Sequence, residues 1–229
     1  MSLRRLGLVA ALAIAAPAGA GSAPLRCADP LVTVDAASLP VARRVCAAIA
    51  AAKPRLAACG LSQSRPVTVE VVREIGGAAD HCAGLYQCGT DRIALVTPDR
   101  VTTVMPEGSV FAGLDPEVYY DSLVVHEFSH ALMDQADCER PRCTADREYV
   151  AYAFQIDSLP EEGRETIRAW RDMPEEIPRE RLNDFLALMK PDIFAATAWA
   201  HFDALDDPCG FVGALATGRT TLALPPLVD

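Results

Sequence analysis

The sequence predicts a helix-rich α+β fold, with a small N-terminal β-sheet and a later helix that carries a His-Glu-x-x-His string. Three observations predict it. Val67 to Val72 alternates and is β-branched, which is a strand pattern. Arg92 to Val96 is a second short apolar run. From Asp115 onward the spacing of apolar residues is helical almost to the end of the chain.

Taken in order, Leu39 to Ala58 reads as a helix, with Pro54 expected to break or kink it and Cys59-Gly60-Leu61 to stop it. Gly76 to Thr90 reads as a loop or hairpin, and Thr97 to Leu114 as an irregular stretch able to cover a cleft. Asp115-Pro116-Glu117 opens a helix that should run to about Gln135, because Asp115 can cap, Pro116 suits the first turn and Glu117 complements the dipole. Thr144 is expected to cap a helix reaching Asp157. Ser158-Leu159-Pro160-Glu161 has a capping-box pattern for another, ending near Asp172. Two more helices are expected over 178–190 and 192–205, then a tail from Thr220.

The chain has 229 residues, 51% apolar and 23% charged, enough for one packed domain. Residues 1–20 read as an export leader. Arg4 and Arg5 precede an apolar stretch, and small residues at Ala18 and Ala20 suit cleavage, which could fall as late as residue 23. Residues 21–229 then form a single domain, secreted or periplasmic, with no stable membrane insertion after cleavage. The formal charge is −10, and losing Arg4 and Arg5 makes it two units more negative. An acidic chain repels phosphate backbones, so nucleic acid is not an expected partner. Eight cysteines in an exported chain imply up to four disulfides, with Cys82–Cys88 and Cys138–Cys143 as short-range pairings.

The informative string is His126-Glu127-Phe128-Ser129-His130. On a helix the two imidazoles leave one face about 6 Å apart along the axis and can share one ion. The expected roles are His126 and His130 as Zn2+ ligands and Glu127 as general base toward a water. A third ligand must come from a following element, because Asp134 lies too far along the same helix. Glu148, eighteen residues past His130, is the expected one, with Asp146 as its rival. Glu148, Tyr152 and Gln155 share a face of their helix. His201 or Tyr152 is the expected donor to an oxyanion.

His126-Glu127-x-x-His130 with Glu148 resembles the gluzincin branch of zinc metallopeptidases. Cys59-Gly60-Leu61, Cys82-x-Gly84-x-Tyr86-x-Cys88 and Arg147-Glu148-Tyr149-x-Ala151-Tyr152 are similar to a family of uncharacterised exported bacterial proteins. The first resemblance implies a zincin-like domain and a zinc-dependent hydrolase acting on a peptide or protein substrate. It also implies that strand Arg92–Val96 pairs with an extended peptide. Where thermolysin, the type of that branch, places a carboxylate four residues after the ligand glutamate, this chain has Tyr152, so the support behind the ligands must differ. The competing expectation is a non-catalytic zinc-containing binding or structural module, and a lipid- or sugar-directed hydrolase is a third.

Overall fold

A computed structural model describes residues 23–76, 82–137, 142–170 and 179–224. The leader, Cys138 and Pro178 lie outside these residues. The described part is α+β. Strands β1 (Leu25–Arg26), β2 (Val32–Ala36), β3 (Val67–Val72), β4 (Gly84–Gln87) and β5 (Arg92–Val96) form one sheet in the order β1-β2-β3-β5-β4. β2, β3 and β5 run parallel, while β1 and β4 are antiparallel edges. The helices are α1 (Leu39–Ala58), α2 (Val101–Val104), α3 (Pro116–Gln135), α4 (Thr144–Asp157), α5 (Glu161–Arg168), α6 (Asp184–Met189), α7 (Pro191–Ala204) and α8 (Pro208–Ala216).

Alternation explains the sheet. Val67, Val69 and Val71 are buried and their neighbours only partly so, which turns one face of β3 to the core. α1 buries Ala42, Val45, Ile49, Ala52 and Leu56, a stripe at helical spacing. Burying side chains such as Ile49 and Leu56 is worth about 1.5–3 kcal/mol each. Pro54 sits inside α1 without ending it. The helix runs four residues further, to Ala58, and the chain turns away at Gly60 (φ +85°), where Leu61 N–H donates to Leu56 and Gly60 N–H to Ala57. That pairing needs a left-handed residue, which glycine supplies. The stop expected at Cys59-Gly60-Leu61 is therefore present.

α3 is buried on nearly every side, with the sheet and α1 on one flank and α4 on the other. Asp115 caps it by accepting from the amides of Glu117 and Val118. Its far end is held by Gln135, which accepts from the amides of Ser64 and Arg65 and donates to Asp91. The Arg44 guanidinium spans Asp121 and the Glu117 carbonyl, tying α1 to α3.

Several expectations need correction. α4 is capped by Cys143 and not Thr144: Cys143 Sγ accepts from Asp146 N–H while Asp146 accepts from Cys143 N–H. A thiol can fill this place as a hydroxyl would, though as a weaker acceptor. Pro160 stands at the start of α5, and Ser158 instead donates back to the Gln155 carbonyl. The helix expected over 178–190 is a 3-10 turn, Arg179–Arg181, followed by the short α6. The sequence reading missed β1, β2 and α8.

The cysteine pairings differ too. Cys27 bonds to Cys46 and Cys59 to Cys209, while Cys82, Cys88 and Cys143 are free thiols. Both bridges join residues far apart in sequence, which proximity along the chain could not suggest. β5 is also interior to the sheet, between β3 and β4, so the exposed edge beside the histidine helix is β4.

Candidate metal centre

α3 and α4 pack side by side and bring Glu148 to the two histidines. His126 Nε2 and His130 Nε2 are 3.1 Å apart. Glu148 Oε2 lies 3.7 Å from His126 Nε2, and Oε1 lies 3.5 Å from His130 Nε2. Donors each about 2.0–2.1 Å from a tetrahedral ion stand about 3.3 Å from one another, so this separation fits one shared ion. Two imidazoles and a carboxylate are also a donor set that suits a divalent transition metal.

A chain of hydrogen bonds fixes the tautomer of His126. The Ser122 hydroxyl donates to the Tyr119 carbonyl at 2.8 Å, leaving its lone pairs to accept. Gln155 Nε2 then donates to Ser122 Oγ at 3.4 Å. That turns Gln155 Oε1 toward His126 Nδ1, 2.9 Å away, where only a protonated Nδ1 can bond to it. The Nε2 lone pair is left to face the metal position. Gln155 thus holds the His126 ring from behind. The sequence reading had placed Gln155 on the ligand face without giving it a role. Seven residues after Glu148 on one helix, it occupies the same stripe two turns on.

Burial sets the charge states of the metal-free site. It pushes His126 down to about 4, against a smaller upward pull from Gln155, and drives His130 well below its ordinary value. Glu148 is raised to about 7 by burial, which Arg147 partly offsets. Glu127 is raised to about 8 by burial first and by the neighbouring Glu148 second.

Glu127 Oε2 is buried and has no hydrogen-bond partner among the described residues. The carboxyl lies against Gly84 of β4, where a Cβ would come 2.5 Å from Glu127 Oε1. Glycine is thus required for the sheet edge to approach the carboxyl so closely. The sequence signal was Gly84 inside Cys82-x-Gly84-x-Tyr86, although its meaning shows only when β4 and α3 are side by side. Tyr86 fixes that approach by donating its hydroxyl to Asp134 at 2.8 Å, and Gly89 N–H joins it at 3.0 Å.

These residues line a cleft of about 580 Å³ that also includes Phe111 and Ser109 of the 97–114 stretch, Tyr119 and Arg147. Tyr152 lines it as well, its ring edge-on to His126 with centroids 4.6 Å apart and its hydroxyl unpartnered among the described residues. His201 does not line it. Its Nδ1 is 2.8 Å from the Tyr149 hydroxyl, and its ring packs on Phe211. Asp146, the rival ligand, accepts from Thr221 Oγ1 and the Leu222 amide, so it anchors the chain end to α4.

Residues 32–225 match the DUF6639 family, described as a family of unknown function, and the chain belongs to that family. No curated protein and no solved structure matches the chain.

Proposed function

We propose that the protein is an exported zinc-dependent peptidase of gluzincin type, with His126, His130 and Glu148 as the metal ligands. The observation that carries this reading is the buried, unpartnered carboxylate oxygen of Glu127 in the wall of the His-His-Glu cleft. A buried carboxyl oxygen without a partner is costly and is kept where a ligand or reaction employs it. When bound, zinc lowers the pKa of a water toward neutrality and polarises a carbonyl oxygen.

Glu127 takes the proton of the attacking water and passes it to the leaving amine. Its proton affinity, raised by burial and by Glu148, suits a group that must both accept and release a proton near neutral pH. Gln155 holds His126 in the tautomer that presents Nε2. The Tyr152 hydroxyl is the donor available to the oxyanion, since His201 is committed to Tyr149 outside the cleft. β4 pairs only with β5 among the described residues, so its other edge offers backbone groups to an extended peptide.

A structural zinc site is normally closed by four protein ligands. Among the described residues the group here has three, which favours catalysis over a structural role. Two disulfides, and no helix among the described residues long and apolar enough to cross a membrane, fit an exported chain.

The test is hydrolysis of a peptide library by zinc-loaded protein, with Glu127→Gln alongside. The variant should keep one metal ion per chain and lose at least about a hundredfold in rate. Equal rates in the two proteins would remove Glu127 from the mechanism, and no cleavage by either would remove the peptidase reading.

A further inference from the structure

The cleft is rich in carboxylates and, among the described residues, holds one cation whose guanidinium bonds to no oxygen. Glu127, Glu148 and Asp192 all line it. Asp192 is spent on the Ser109 hydroxyl and the Val110 amide. Arg142, also in the lining, gives its guanidinium to the carbonyls of Ala136 and Ala216. Arg147 differs. Among the described residues its one hydrogen bond runs from Nη1 to Cys88 Sγ at 2.8 Å, and no carboxylate lies within 4.0 Å of its guanidinium. Sulfur is a weak acceptor, and among the described residues the remaining guanidinium N–H groups bond to no oxygen. The side chain is half-buried in the wall of the cleft, next in sequence to the Glu148 ligand and near enough to His130 to act on its charge.

A planar guanidinium in that state matches a carboxylate, which it can hold through two parallel hydrogen bonds. We infer that Arg147 seats a carboxylate of the peptide substrate, either an acidic side chain or the free C-terminus, close to the bond that is cut. This rests on the peptidase reading and deepens it, because it gives the substrate a charge. Cys88 holds the guanidinium at the end of the β4 edge until the stronger acceptor arrives. Its weak hold costs little to break.

The experiment uses zinc-loaded Glu127→Gln protein, immobilised, and random octapeptide pools made in four versions. The C-terminus is free or amidated, and Asp and Glu are either included or replaced by Asn and Gln. Retained peptides are identified by mass spectrometry. Pools with a carboxylate should be retained at least about tenfold over the pool with none, and the retained version identifies the source. Arg147→Gln in the same background should abolish the preference, and Arg147→Lys should restore part of it. Equal retention of all pools, retention of none, or a preference that survives Arg147→Gln overturns the inference. Metal content is measured in parallel. Loss of zinc from Arg147→Gln with the preference intact would make Arg147 a positioning residue for Glu148. Cleavage by the wild-type protein is scored separately, so retention without cleavage sinks the peptidase and leaves the carboxylate seat standing.

Discussion

Glu148 must lose a proton before it can bind a metal, and the histidines need not. With His126 pushed down to about 4 and His130 also lowered, both rings are neutral through the upper acid range. Glu148, raised to about 7, still carries its proton there. Metal binding between about pH 5 and 7 therefore displaces one proton, and affinity should climb about tenfold per pH unit, then level off above about 7. A site with ordinary values would shed two histidine protons and level off near 6.5. Competition titrations of zinc in Glu127→Gln, which removes the other raised carboxyl, distinguish one proton from two. A slope of two would mean that burial does not govern these histidines. Gly84 gives a second prediction. Gly84→Ala puts a methyl where the Glu127 carboxyl now lies, so the carboxyl must move. Zinc content should hold while turnover falls by about a hundredfold, the scale expected of a misplacement of about 1 Å. Unchanged turnover would mean that Glu127 has room to spare.

The elements that carry the candidate metal ligands are legible in the sequence, and the elements that frame them are not. His126, Glu127 and His130 declare themselves because one helix sets their spacing, and Glu148 follows because α4 must pack beside α3. Asp115 and Pro116 announced the start of α3 by the same local logic. Gln155, Gly84 and Arg147 acquire meaning only across elements, through Ser122, Glu127 and Cys88 respectively. Which strand is the edge was equally hidden, since strand order is a matter of long-range pairing. His201 was attractive as a histidine downstream of the motif, but α7 turns it toward Tyr149. Asp146 and Glu148 are two residues apart on α4 with opposite duties. Asp146→Ala should retain zinc and destabilise the fold by about 1–3 kcal/mol, because the Leu222 amide and Thr221 lose their acceptor. Glu148→Ala should lose zinc. Metal analysis and urea unfolding of the pair check this, and zinc loss in Asp146→Ala would reverse the assignment.

Among the described residues, covalent ties and free thiols are segregated. The two bridges lie on α1 and its partners, Cys27–Cys46 at its start and Cys59–Cys209 just beyond its end. Cys82 and Cys88 lie at the cleft, and Cys143 caps α4. Alkylation of the native protein should therefore modify the exposed Cys82 and Cys88 first, with the less exposed Cys143, its thiol raised by burial to about 11, following more slowly. Peptide mapping reads the order, and a Cys82–Cys88 bridge in the mapped peptides would restore the pairing that the sequence suggests. The Cys59–Cys209 bridge closes a loop 150 residues long, which contains α3, α4 and all three candidate metal ligands. Surface loops of a folded chain are where stray proteolytic cuts fall. Any single cut inside that loop leaves two fragments that cannot drift apart while the bridge stands. Such a nicked molecule would run as an intact chain until a reductant is added, and its metal ligands could stay assembled although the backbone between them is broken.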